Sequence, residues 1–126
     1  MKPPEVRDLL ERGRVEIRAA RSLSENGFHS QSISNAYYAA FFSAEGALLA
    51  LGETRSKHSG VISAFGQFVI KGGGLDPNIG LSLRRLFQLR NEAVYDGAAV
   101  DADRARSSIV EAESFVAAVE AWLKTH

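Results

Sequence analysis

The run from about Ser30 to Leu51 carries a single charge, Glu45, across roughly six helical turns, and this limits what the chain can fold into. At the helical period, Ile33, Tyr37, Ala40, Phe41, Ala44, Leu48 and Leu51 form one apolar arc, and Tyr38, Phe42 and Leu49 form a second. Most of the remaining positions are small: Ala36, Ala39, Ser43, Gly46, Ala47 and Ala50. A helix that is apolar all round belongs inside a protein. Its small side admits another helix backbone at close range, and Gly52 is placed to stop it. The rest of the chain must therefore supply partners around this helix.

Four further segments have the pattern to do so. Pro3 and Pro4 suit a helix start, and Val6, Leu9, Leu10, Gly13, Ile17, Ala20 and Leu23 follow at helical spacing up to a stop at Asn26-Gly27. Gly13 either weakens this helix or permits a close crossing. The polar stretch from Glu53 to Gly60 reads as a loop with Ser56 as N-cap, before a third helix carrying Val61, Ile62, Phe65, Phe68, Val69 and Ile70. Gly72-Gly73-Gly74 then reads as a linker that needs outside contacts to hold one structure. Asp76-Pro77 caps and starts a fourth helix ending at Asp96-Gly97. Asp101 caps a fifth, with Ile109, Ala112, Val116, Val119 and Leu123 on one stripe and Phe115 and Trp122 flanking it. With no strand candidates or repeats, the expectation is an all-α, up-and-down bundle of about five helices, a single domain over residues 1–126.

The fourth helix carries the awkward residue. Ile79, Leu83, Leu86, Phe87, Leu89, Ala93 and Val94 share a broad apolar arc, and Arg90 falls near its middle. A guanidinium does not lose its proton, so burying it unpaired costs several kcal/mol. It needs an acidic partner, a pocket or a subunit interface. Glu45 is one candidate partner; the alternative is that Glu45 reaches solvent near a helix end. On the other face Arg84, Gln88, Asn91 and Tyr95 line up.

Charge balance narrows the function. Fifteen Lys and Arg against fifteen Asp and Glu argue against a bulk electrostatic grip on nucleic acid or anionic membrane, and leave room for a local basic patch. Without cysteine, disulfides and thiolate metal sites are excluded. His29, His58 and His126 have no ligand spacing to one another or to a suitable carboxylate, so no metal or cofactor is expected. The glycine triplet precedes no Lys-Ser/Thr pair and is not a phosphate loop. His58, between Lys57 and Ser59, is placed to bind an anion at a helix start, although an exposed loop histidine is the plainer reading. No apolar run approaches a membrane span and no signal peptide opens the sequence, so a cytoplasmic protein without membrane association is the default.

Several stretches resemble one family, the final helix from Ala112 through Leu123 among them. Ser34-Asn35-Ala36-Tyr37-Tyr38-Ala39-Ala40-Phe41-Phe42 and Lys57-His58-Ser59-Gly60-Val61, the latter followed by Phe65, are similar to signatures of HEPN domains. Leu89-Arg90-Asn91-Glu92-Ala93-Val94-Tyr95-Asp96 resembles the Arg-x-x-Ala-Asp-Tyr variant of the HEPN active-site motif, with Val94 in place of Asp. The match runs in order over nearly the whole chain. The resemblance implies a helical domain that dimerises, with the Arg motifs of two subunits meeting in a cleft. It implies either a metal-independent ribonuclease or a protein paired with a small nucleotidyltransferase in a toxin–antitoxin module. In nuclease members the motif is Arg, four to six residues, then His. Arg90 matches the Arg, Asn91 a polar residue often found after it, and Tyr95 stands where the His would be.

That departure bears on catalysis. An unperturbed phenol has a pKa of about 10, so only about one in a thousand is ionised at pH 7, against the well-matched imidazole. Arg90 and Tyr95 also lie about 140° apart on an ideal helix. The expectation is therefore an RNA- or nucleotide-interacting module with weak or absent ribonuclease activity of its own. Arg90 and Tyr95 are the candidate catalytic pair, and Arg84, Asn91, Lys57 and His58 the candidate substrate-binding residues. The rival readings are a ribonuclease in its own right and a helical adaptor without a ligand.

Overall fold

Five α-helices and one π-helical segment make up the described residues, 3–95 and 100–126, of the computed structural model; for Tyr95 only the backbone is described. They are α1 (Pro4–Glu25), α2 (His29–Ala50), α3 (His58–Ala64), which runs directly into the π segment (Phe65–Lys71), α4 (Pro77–Tyr95) and α5 (Ala102–Leu123). No strand occurs among the described residues, and none of their helices is long and apolar enough to cross a membrane.

The nearly uncharged run is the centre of the bundle. α2 packs against α1, α3, the π segment, α4 and α5, and its contact with α1 is the most extensive in the molecule. Ile33, Ala36, Tyr37, Ala39, Ala40, Ala44, Ala47 and Leu48 are all essentially inaccessible. The small side does what small residues permit. A Cβ on Gly13 would stand 2.8 Å from Ser43 Oγ and 3.0 Å from the Ala39 carbonyl oxygen. A Cβ on Gly46 would meet Leu10, Leu9 and Val6 at ordinary contact distance. Residue numbers rise along α1 as they fall along α2, so the pair is antiparallel, and of the two roles open to Gly13 the close crossing is the one it plays.

Turn chemistry sets the ends. Gly27 and Gly52 have φ of 84° and 77°, the left-handed conformation that stops α1 and α2. Asp76 Oδ1 accepts from the Asn78 backbone N–H at 2.9 Å, and Asp101 Oδ1 from Arg104 N–H at 2.8 Å, so both aspartates cap as expected. Ser56 does not: α3 begins at His58, its N-cap position is Lys57, and no side chain caps it. The Asp96-Gly97 stop lies outside the described residues. Two apolar residues also leave their assigned arcs, each at an end of its helix. Leu51 and Val94 are 39% and 47% exposed.

Past α3 the hydrogen bonding loosens into the π segment, with Phe65 and Val69 directed into the core. Phe65 packs on Phe115 of α5 at 5.3 Å between ring centroids. The glycine triplet receives the outside contact it needed. Trp122 Nε1 donates to the Gly73 carbonyl at 2.8 Å, and its ring lies so close that a Cβ on Gly73 would come within 2.7 Å of it. The triplet is a packed corner, not a free linker. Across the surface Arg85 Nε donates to Glu111 at 2.8 Å, which ties α4 to α5.

Candidate functional site

Three elements converge where the cation of α4 meets α2. α4 turns Arg90 toward Tyr38: Nη2 donates to the Tyr38 hydroxyl at 3.2 Å, and the guanidinium carbon lies 5.5 Å from the Tyr38 ring centre. Nη1 donates to Asn91 Oδ1, also at 3.2 Å. Arg90 and Asn91 are half-buried. Among the described residues, a phenol and an amide thus help to hold the cation in the apolar stripe.

The first turn of α3 brings His58 to the same place. Its imidazole stacks on Phe41, with centroids 4.5 Å apart and planes 24° apart, and faces Phe87 at 5.9 Å and 14°. Its Nδ1 is 2.6 Å from the Tyr37 hydroxyl, and Tyr38 reaches it edge-on at 5.8 Å. Burial, and then the charge of Arg90, hold its pKa below the usual imidazole range, so the ring is neutral at pH 7. Burial also pushes the Tyr37 phenol well above its ordinary value, with Tyr38 adding to the shift, so Tyr37 stays protonated. His58 is therefore not an exposed loop histidine. It is a neutral imidazole in an aromatic setting, within electrostatic reach of Arg90.

Glu45 is not the partner of Arg90. Tyr38, which Arg90 contacts, lies seven residues back along α2, about 10 Å of helix axis. Glu45 instead keeps partial access to solvent near the end of α2. It is half-buried, in a cavity shared with Leu9, Leu48, Leu49 and Arg55. Burial raises its pKa, and Arg12, which lies 4.1 Å over the Phe42 ring, opposes that rise.

The expected site residues thus divide. Arg90, Asn91 and His58 come together. Arg84 and Lys57 are exposed, and neither side chain makes a hydrogen bond or ion pair to the described residues. Tyr95 closes α4, and its side chain lies outside the described residues. Tyr37 and Tyr38 were missed, having been counted with the apolar arcs. The available signal was chemical: a phenol on a fully enclosed helix needs a polar partner for its hydroxyl.

The chain is similar to known proteins over most of its length. The HEPN domain model matches residues 6–122. A candidate toxin of Methanocaldococcus jannaschii is 33% identical over 120 residues, which cover 95% of this chain and 90% of that protein. A UPF0332 protein of Gloeobacter violaceus is 35% identical over 111 residues, 88% of each chain. A crystal structure of a Thermus thermophilus protein has the same fold, with a TM-score of 0.80 over 95% of this chain and 99% of that one, at 20% identity.

Proposed function

The chain belongs to the HEPN family, and from that premise we propose that it is a toxin–antitoxin-type protein whose Arg90 site binds the phosphate groups of RNA or a nucleotide, in concert with a small nucleotidyltransferase. The observation that carries the reading is Arg90 itself, held half-buried against Tyr38 and Asn91 beside a neutral imidazole. A guanidinium fixed in this way offers planar, permanently charged donors to phosphate oxygens. The half-buried Tyr38 ring adds a surface on which a base can stack. The module reading draws on relatives described as candidate toxins, both from Methanocaldococcus jannaschii. A homodimer is part of the proposal, since it shelters a cation that lies at the edge of one small bundle; light scattering that shows a monomer at micromolar concentration refutes it.

The rival reading, a metal-independent ribonuclease, gains one observation from the structure. His58 supplies the imidazole that position 95 lacks.

Binding of a fluorescent single-stranded RNA separates the roles of the two arginines. Arg90→Ala should weaken binding about tenfold or more, the effect of losing a hydrogen bond to a charged group, whereas Arg84→Ala should change it little. Equal losses in the two variants overturn the proposal. Incubation of the purified protein with total RNA in EDTA tests the ribonuclease reading directly.

A further inference from the structure

Tyr37 is wholly buried, and a buried phenol must give its hydrogen to an acceptor. Among the described residues the acceptor within reach is Nδ1 of His58, at 2.6 Å. The buried phenolic hydrogen has no other acceptor within reach among the described residues, so the bond runs from Tyr37 Oη–H to Nδ1. A neutral imidazole whose Nδ1 lone pair is engaged carries its hydrogen on Nε2. The opposite tautomer would turn Nδ1–H toward Tyr37 and leave the phenolic hydrogen buried with no acceptor. Stacking on Phe41 and Phe87 holds the ring in this orientation. Nε2 makes no hydrogen bond to the described residues, and His58 as a whole is only half-buried.

The neighbouring groups have the same polarity. The Tyr38 hydroxyl accepts from Arg90 and keeps its own hydrogen to give. Asn91 accepts through Oδ1, which leaves its amide N–H groups as donors. We propose that Tyr37 fixes His58 as the Nε2–H tautomer, and that His58 thereby completes the Arg90 site as a neutral hydrogen-bond donor to a phosphate oxygen instead of acting as its base. Tyr37 is a positioning residue in this scheme, and His58 a binding residue. The inference rests on the phosphate-binding reading above. It predicts little or no RNA cleavage in spite of the imidazole beside Arg90.

The test has two arms. Long-range proton–nitrogen NMR of free wild-type protein should show the His58 Nε2–H tautomer, and Tyr37→Phe should shift the population toward Nδ1–H. An Nδ1–H tautomer in wild type overturns the proposal whatever the protein binds. In the second arm inorganic phosphate, AMP and single-stranded RNA are titrated into wild type, Arg90→Ala, His58→Phe and His58→Gln, each first checked for helicity. His58→Phe keeps the stacking and should lose about tenfold in affinity, while His58→Gln keeps a donor and should recover most of it. If Arg90→Ala weakens binding and His58→Phe does not, the phosphate site stands and the role of His58 is refuted. If none of the three probes binds wild type, the phosphate-binding reading fails and takes the ligand role of His58 with it. The probe bound most tightly identifies the source of the phosphate.

Discussion

Replacing Gly13 by alanine should destabilise the protein, against the usual effect of that exchange within a helix. In an uncrowded helix the change is favourable by about 1 kcal/mol, because glycine loses more backbone freedom on folding. Here the new methyl group would stand 2.8 Å from Ser43 Oγ and 3.0 Å from the Ala39 carbonyl oxygen. Ser43 can rotate, but the Ala39 carbonyl belongs to the backbone of α2 and cannot, so α1 and α2 must move apart locally. Overpacking of that kind costs about 1–3 kcal/mol. Set against the helical gain, the net loss is about 1 kcal/mol, or a fall in Tm of about 4 °C for a chain of this size. Urea denaturation followed by far-UV circular dichroism measures it. Gly66→Ala is the control: a Cβ there meets nothing within 4 Å, so its stability should hold or rise. Ser43→Ala should relieve part of the crowding when combined with Gly13→Ala, giving a double variant more stable than the two single effects predict. If Gly13→Ala is as stable as wild type, the close approach of the two backbones is not a constraint and the reasoning fails.

Trp122→Phe should cost about 1–3 kcal/mol, because the Gly73 carbonyl loses the indole N–H that satisfies it; an unchanged denaturation midpoint would show that the glycine corner holds without it. Glu45→Gln should raise stability at pH 7, since burial dominates the upward shift of its carboxyl pKa and the neutral amide removes that penalty; a less stable variant would mean that Arg12 outweighs burial. His58 gives a pH signature of defined sign. Burial, then Arg90, lower its pKa in the folded state, so as pH falls below about 6.5 the unfolded chain takes up a proton that the folded one refuses, and stability declines. That decline should disappear in His58→Gln, and a slope shared by both proteins would assign it to other groups.

The sequence by itself determined the architecture and pointed to Arg90, Asn91 and His58, but not to the groups that hold them. An almost uncharged helix between amphipathic ones has few ways to hide its surface, so hydrophobic periodicity was enough to place α2 at the centre. Caps written in local chemistry, Asp76, Asp101, Gly27 and Gly52, were legible for the same reason: each acts within a few residues of itself. Ser56 shows the limit of that reasoning, since its residue type suits a cap but the helix starts two residues later. Arg90 was legible as a conflict, a permanent charge on an apolar face. What resolves the conflict was not. Glu45 was the attractive partner because it is the only charge on α2, yet distance along the helix axis excludes it and a phenol takes its place. His58 lies 32 positions before Arg90 in the chain, in a stretch that reads as an exposed loop. Only the packing of α3 against α2 and α4 encloses it among Phe41, Phe87 and Tyr37. Periodicity reports which face of a helix is buried. It does not report which element covers that face, and the partners, protonation state and tautomer of a polar group all depend on the covering element.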